Sequence, residues 1–517
     1  MSEHHLIAID AGVSFIKVGI YDERGGKKAG ASRPVPTQQP APGTFIQDPD
    51  EMYDLARDAL REAVAQSGVS AKSVAAIAIS GAMGGAMGVD AHWRPTTDWS
   101  IISDSRFMPH AIAMQQGARE AILRQSGTNL SIMGAKTIWW RKDYPEAYAH
   151  TAKFVVIGGY IAAKLGGIGI EDAFIDRTYL NFTGIANLSI DDWSKEICGM
   201  FGIDRTKLPR VVASNAVIGR LTPEAAIECG LAAGTPIVAG AGDKSAGTLG
   251  AGLVRPGLVI DEAASFGALS LCIDRYVPDT AHRTLENLPS PVPGLFIPSV
   301  FLNGSGLTHA WFADTFGAEE KREAAASGGS AFDLLAARAA KVPPGSEGLI
   351  ALGLFGGRAY PSDPSIRGMW LGQSWFHRKE HFYRALLESI AYEYATVLAI
   401  MRENYPDVTF DEIRVIGGGA RSDLWNQIKA DVMGIRYVRL ARDDYAMLGD
   451  ILLAGSAVGV FSEPAKEASR FAGSNRTYEP DAKRTAHYAR YVDIYRGLFD
   501  RERELFESLQ RIPPYGE

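Results

Sequence analysis

Gly240-Ala241-Gly242-Asp243-Lys244-Ser245-Ala246-Gly247 sets one carboxylate in a run of glycines and small residues. It follows the apolar, strand-like run Pro236-Ile237-Val238-Ala239. Small neighbours let the backbone and a bound molecule come close together. A carboxylate held there can accept a proton from a hydroxyl group. Loops that follow buried strands are where α/β proteins place such groups. The plain alternative is an Asp that caps the next helix.

Strand and helix patterns lie on both sides of this loop. Leu6 to Asp10 reads as an apolar strand ending in a carboxylate. Gly12 allows a turn, and Phe15 to Tyr21 reads as a second strand in which Ile16, Val18 and Ile20 alternate. Asp50 to Gln66 has helical spacing, Val74 to Ile79 is a short buried strand, and Glu146 to Leu165 reads as largely helical. A second series starts near Gly252. Gly257 to Glu262 and Leu269 to Ile273 read as strands, and Leu302 to Gly306 as a loop before a helix starting at Trp311. His381 to Arg402 is a long helix pattern. Ile413 to Ile416, Gly417-Gly418-Gly419 and Ser422 to Met433 form strand, turn and helix. The chain has 517 residues. Single cores stop growing at roughly 250–300 residues, so two large domains are expected. The boundary is expected near residue 250, giving domains 1–250 and 251–517. No short internal repeat is visible.

The formal net charge of -7 disfavours nucleic acid and anionic membrane as partners. Cys198, Cys229 and Cys272 are scattered, without metal-binding spacing, which fits a reducing compartment. Met1-Ser2-Glu3-His4-His5 lacks a basic region followed by a long apolar run, so no signal peptide is expected. No charge-free apolar run of about 20 residues occurs, so no membrane span is expected. These readings point to a cytoplasmic protein and leave a homodimer open.

Other stretches carry chemistry. The turn after Asp10 exposes backbone N–H groups suited to phosphate oxygens. Asp10 could hold a magnesium ion, and Lys17 could neutralise phosphate charge. An ordinary Asp-x-Gly hairpin turn explains the same residues. Gly417, Gly418 and Gly419, with Ala420, let a nucleotide approach the backbone ahead of a helix N-terminus. They form neither a GxGxxG fingerprint nor a P-loop, and a plain strand-to-helix turn fits equally. Asp104 and Arg106 offer an acceptor and several donors for sugar hydroxyls, or a simple surface ion pair. Trp99, Trp139 and Trp140 fit core packing better than a pocket.

In order and character, these stretches resemble the FGGY carbohydrate kinase family, a xylulokinase-like pattern within the actin-like ATPase superfamily. Asp10-Ala11-Gly12-Val13-Ser14 resembles its first phosphate motif, Asp-x-Gly-Thr-Ser/Thr. Ser80-Gly81-Ala82-Met83-Gly84-Gly85 is similar to the xylulokinase Ser-Gly-Gln-Met-His-Gly, and Asp104-Ser105-Arg106 to the family's Asp-x-Arg. Gly242-Asp243 resembles the loop of the catalytic aspartate. Gly356-Gly357-Arg358 with Pro361, and Arg367-Gly368, resemble C-terminal domain segments. Gly417 to Asp431, including Trp425-Asn426-Gln427, resembles the adenosine-side signature.

The resemblance implies an α/β fold of two actin-like (ribonuclease H-like) domains flanking a central cleft. It implies ATP and Mg2+ as cofactors. The expected reaction is phosphorylation of a small ketose, polyol or sugar acid, with a pentulose such as xylulose first in line. In that reading Asp243 is the catalytic base and binds substrate, and Asp10 organises the metal. Gly12, Ser14, Lys17 and Ser265 meet the phosphates. Gly417, Gly418, Gly419, Ala420 and Asn426 meet the nucleotide, and Met83, Asp104 and Arg106 meet the substrate. Departures fall at the phosphate loops and the sugar wall. Val13 replaces Thr, and Ala264-Ser265-Phe266-Gly267 replaces Gly-Thr-Ser-Gly. Ala82 and Gly84 replace Gln and His, and Ile102 replaces Trp. The altered phosphate loops motivate an alternative: a nucleotide-dependent sensor or assembly protein with little kinase activity.

Overall fold

The computed structural model describes residues 4–359 and 361–513. Two mixed sheets organise the chain. Along the first sheet the strands run Val217–Arg220, Pro236–Val238, Val74–Gly81, His5–Ala11, Phe15–Asp22 and Lys27–Pro34. His5–Ala11 and Pro236–Val238 both pair parallel with Val74–Gly81, whereas His5–Ala11, Phe15–Asp22 and Lys27–Pro34 form an antiparallel meander. The central strands read as unbroken Ile, Leu, Val and Ala because both of their faces are covered.

Along the second sheet the strands run Glu286–Pro289, Phe296–Leu302, Gly267–Leu271, Leu258–Ala263, Glu412–Ile416, Arg436–Leu440 and Ser474–Tyr478. Here too an antiparallel meander leads into parallel pairs, Leu258–Ala263 with Glu412–Ile416 and then Arg436–Leu440. The topology of the first sheet is thus repeated without a sequence repeat. Asp10 and Glu262 hold equivalent places, each one residue from the end of its sheet's first strand.

The two sequence halves meet through a shared helix crossing. The helix Tyr445–Ala457 returns from the C-terminal part to pack on the helix Asp243–Gly250 and on two strands of the first sheet, His5–Ala11 and Val74–Gly81. Glycines make the helix crossing close. A Cβ at Gly250 would collide with the carbonyl oxygen of Tyr445, and one at Gly449 with that of Ala246.

Two segments differ from their sequence-based expectation. Glu146 to Leu165 is not one helical stretch. It comprises the helix Pro145–His150, the strand Lys153–Val155 and the helix Ile157–Gly166. The strand forms because Phe154 and Val155 are buried and the segment pairs antiparallel with Met87–Val89. The helix expected at Trp311 begins at Gly306. Its first N–H groups are satisfied early, with Gly306 donating to the Ala264 carbonyl (2.9 Å) and Leu307 to that of Ser265 (3.1 Å).

Gly449→Ala is expected to lower stability by about 1–3 kcal/mol, the range for overpacking a tight contact. Gly473 has no atom within 4 Å of a built Cβ. Gly473→Ala should therefore stay within about 0.5 kcal/mol of wild type. Urea denaturation of both variants checks this, and equal midpoints would contradict the crossing's role.

Candidate active site

Asp243 is the first residue of its helix and is partly exposed. The loop before it is wired to the first sheet. Gly81 N–H donates to the Ala241 carbonyl (3.2 Å), and Gly242 pairs with Gly81 as an extension of the strand. Gly240, at φ +72°, has its α-carbon against the backbone of Ile79, and only glycine fits there. Thr178 Oγ1 accepts from Gly242 N–H (2.8 Å) and donates to Asp176 (2.7 Å), while the Tyr179 hydroxyl donates to the Gly81 carbonyl (2.9 Å). Nothing in the sequence reading singled out Asp176, Thr178 or Tyr179. Their polar run among apolar residues, buried in the structure, was the available signal.

Carboxylates converge on this loop. Burial, and then the charge of Asp10, push the Asp243 carboxyl up to about 7. Burial also raises Asp10, against the pull of Lys17, whose Nζ is 3.7 Å from Oδ2. Asp450, one residue beyond the Gly449 crossing, accepts from Ser80 Oγ at 2.6 Å and is fully buried. Burial raises its carboxyl well above the usual range, and Asp10 adds to the effect. Ser80 pairs with Asp10 in the sheet register, so helix, strand and carboxylates meet at one place. Lys244 forms an ion pair with Glu262 of the second sheet and lies over the Phe301 ring at 5.0 Å.

The site fits a divalent cation at Asp10. Its Oδ1 is buried and has no hydrogen-bond partner. Among the described residues no three His, Cys, Asp or Glu side chains form a cation cage. An ion here would take one carboxylate from the protein and complete its shell from phosphates and water, as magnesium does.

The remaining candidates separate by position. Gly12 and Val13 are partly exposed and Ser14 is exposed in the turn after Asp10. Ser265 is exposed in the turn between two strands of the second sheet. Gly417, at φ +87°, opens the glycine turn, and Gly418 has open space where a side chain would be. Ala420 is buried. Asn426 is fully buried, its Nδ2 donating to the Ala420 carbonyl (2.8 Å), so its visible role is to brace the turn from beneath. Met83 packs on Gly242, beside Asp243.

Asp104 and Arg106 are not an exposed surface pair. Asp104 is 0 % exposed. It accepts from Arg106 Nε (2.9 Å), Arg106 Nη2 (2.7 Å) and Ser100 Oγ (2.8 Å). Burial opposes its charge, but these bonds outweigh it and hold the carboxyl below the ordinary value. Arg106 stacks over Trp139 at 4.7 Å. Lys136 lies nearby, fully buried, and its ammonium donates to the carbonyls of Gly84 (3.2 Å), Ser100 (2.6 Å) and Ile101 (3.0 Å). Burial lowers its pKa to about 7. A lone lysine inside the apolar run Met133 to Trp140 was its signal in the sequence. It ties the turn at Gly84 to the segment bearing Ile102.

A cavity of about 730 Å³ opens beside this segment, lined by Ile102, Phe182, Phe266, Phe301 and several polar residues. Ile102 fills the space beside Gly84, which has φ +77°. Two contacts link the cavity to the Asp243 loop: Ile102 through Gly84 and Met83, and Phe301 through Lys244.

The N-terminal domain model of the FGGY family of carbohydrate kinases matches residues 5–250, and the C-terminal domain model matches residues 277–458. The chain belongs to this family. It is 27% identical to a xylulose kinase of Bacillus subtilis (strain 168), over 98% of this chain and 99% of that one. It is also 27% identical to an autoinducer-2 kinase of Yersinia enterocolitica, over 98% and 96% of the two chains. The fold superposes on a xylulose kinase from Rhodospirillum rubrum (TM-score 0.88, 25% identity, 98% and 100% covered). It also superposes on a gluconate kinase from Lactobacillus acidophilus (TM-score 0.89, 22% identity, 98% and 100% covered). The FGGY kinase is thus a phosphotransferase with an alcohol acceptor, built on the two-domain actin-like fold. No described helix is long and apolar enough to cross a membrane.

In the nucleotide-free FGGY kinase the Asp243 carboxyl is expected to lose its proton near pH 7. Infrared difference spectra of wild type minus Asp243→Asn, taken across pH, should show a protonated carboxyl band that fades through neutrality. A band gone by about pH 4, the ordinary aspartate value, would contradict this environment.

Proposed function

We propose that this chain transfers the terminal phosphoryl group of Mg-ATP to a hydroxyl of a small ketose, polyol or sugar acid. The observation that carries the reading is the placement of Asp243. It stands at a helix start on a loop fixed to the first sheet, within reach of the charge of Asp10, whose Oδ1 is buried and unpartnered.

In this reading Asp243 orients the acceptor hydroxyl and takes its proton. The acceptor oxygen then bonds to the terminal phosphorus as the bridging oxygen departs with ADP. A carboxyl held near neutrality suits the task, since a base works best with a pKa near the operating pH. Asp10 would hold the magnesium ion. A bound magnesium ion supplies charge neutralisation across the phosphates. Backbone N–H groups around Gly12, Ser14 and Ser265 would steady phosphate oxygens, with Lys17 adding positive charge. Gly417, Gly418 and Gly419 would let the nucleotide lie against the backbone. Met83 and Gly84 would form the acceptor wall next to Asp243, with Asp104, Arg106 and Lys136 supporting it from within.

The similarity to a xylulose kinase and to an autoinducer-2 kinase supports a small polyhydroxylated acceptor. Gly84 and Ile102 reshape the surface that such an acceptor would meet. Domain closure over the cleft would exclude water and limit ATP hydrolysis.

A coupled ADP-release assay across ketoses, alditols and aldonates, starting with D-xylulose, tests the reading. At least one acceptor should stimulate turnover. Asp243→Asn should cut kcat by roughly 10²–10⁴-fold, the usual share of a general base, with ADP affinity nearly intact. Turnover in the variant close to wild type would remove Asp243 from the chemistry. Failure of every acceptor would favour a nucleotide sensor on the same fold.

A further inference from the structure

The cavity of about 730 Å³ is unusual in its charge. Among the described residues its lining contains no Asp or Glu. Its polar members are Arg119, Asn129, His282, Arg283, Asn303, Arg358 and Ser362. In a chain whose net charge is -7, the described lining of this cleft holds three arginines and no carboxylate of its own.

The arginines are not equivalent. Arg358 is neutralised by Glu393 (3.0 Å) and lies over the Phe499 ring. His282 is paired with Glu403 (2.8 Å). Arg119 and Arg283 are exposed, and neither has an ion-pair or hydrogen-bond partner for its side chain among the described residues. Each stands at an irregularity of the backbone. Arg119 follows Ala118, whose φ of -149° and ψ of 25° break the helix Met108–Ser126. Arg283 itself has φ +55°, a region that costs a non-glycine residue energy. The buried carboxylate of Asp279 holds that loop by accepting from the N–H groups of His282, Thr284 and Leu285. The two free guanidinium groups come from different walls, Arg119 from the first half of the chain and Arg283 from the second.

Building on the kinase reading above, we infer that the acceptor is an anion: a polyhydroxy acid whose carboxylate is held between Arg119 and Arg283. Guanidinium groups recognise carboxylates through paired, charge-assisted hydrogen bonds. The carboxylate end would lie toward the cleft mouth. The hydroxyl end would run along Ile102 and Phe301, the two walls that lead to Asp243. A ligand gripped from both walls would also favour the closed cleft. The asparagines and serine of the lining can hold hydroxyls of any polyol, whereas the guanidinium charges favour an anion over a neutral alditol.

The test compares D-gluconate with its neutral counterpart D-sorbitol on the full-length protein, by calorimetric titration in the presence of ADP and by coupled kinetics with Mg-ATP. Gluconate should bind at least about tenfold more tightly than sorbitol, the factor expected of one net charge-assisted contact. Raising KCl from 50 to 300 mM should weaken gluconate binding by about twofold to fivefold, as screening does for an exposed pair, and leave sorbitol unchanged. Arg119→Gln and Arg283→Gln should each raise the gluconate KM by about tenfold, with ADP affinity within about twofold of wild type. Equal binding of the two ligands would overturn the inference, whatever the kinetics show. Loss of ADP affinity in the arginine variants would overturn it too, by assigning those charges to nucleotide phosphates. Turnover of neutral acceptors with no preference for acids would refute the anion while leaving the kinase reading intact. Tight gluconate binding without any acceptor-stimulated ADP release would uphold the anion site and refute the kinase reading.

Discussion

The backbone contact between Gly250 and the turn of helix around Gly449 fixes the geometry on which the cleft depends. Two helices from distant parts of the chain cross there with no side chain between them. Close packing of this kind is won by van der Waals contact and lost with a single methylene. The crossing has chemical consequences at both helices. Asp243 begins one of them, seven residues before Gly250. Asp450 directly follows Gly449 on the other and reaches Ser80, the register partner of Asp10. A helix from the second half of the chain thereby completes the floor of a site whose other members belong to the first.

That floor is electrostatically uncomfortable. Asp10, Asp176, Asp243 and Asp450 all act on the phenol of Tyr179, which burial chiefly raises and their charges raise further. Burial is the largest cause of the raised pKa at each of the four carboxyls. Carboxyls that titrate higher in the folded chain than in the unfolded one favour folding when protonated. For Asp176, raised to about 6, and Asp243, raised to about 7, that contribution declines as pH rises from the unfolded value, about 4, through these values. The folded protein therefore holds unfavourable charge at neutral pH, concentrated at the candidate site. A ligand that brings a cation, or a hydroxyl able to share a proton, relieves it, and stability given up in the free protein becomes binding preference.

Much of this was legible in the chain. The strand ending at Asp10, the loop at Asp243 and the glycine turn at Gly417 each carry local signals, apolar runs broken by small residues, that need no tertiary information. What stayed hidden depended on distant partners. Asp104 and Arg106 look like an exposed pair because their spacing is short, yet Asp104 is fully buried against Ser100 and Arg106 stacks on Trp139. Asn426 reads as a nucleotide contact, but its place under the turn is set by the Ala420 carbonyl. The strand Lys153–Val155 interrupts a helical pattern because Met87–Val89 offers a ladder that local propensity cannot reveal. The return of Tyr445–Ala457 to the first sheet leaves no mark on the apolar periodicity of that helix.

The acceptor wall shows why two departures from the family pattern have to be read together. Gly84 lies at φ +77°, and a Cβ there would press on the side chain of Ile102. Lys136 draws the carbonyls of Gly84, Ser100 and Ile101 onto one buried ammonium, so the turn and the neighbouring segment cannot move apart. A large side chain at 84 and an isoleucine at 102 are therefore incompatible within this backbone. Where the xylulokinase-like pattern that the sequence resembles has a histidine and a tryptophan, this chain has one small residue and one aliphatic side chain that fills the space beside it. The polar group is lost from the wall, and the exposed face of Ile102 now borders the cavity. In the proposed reading, recognition of the acceptor is displaced from this wall toward the arginines and asparagines that line the cavity. In a pocket whose near wall has become apolar, the few remaining polar groups carry most of the discrimination.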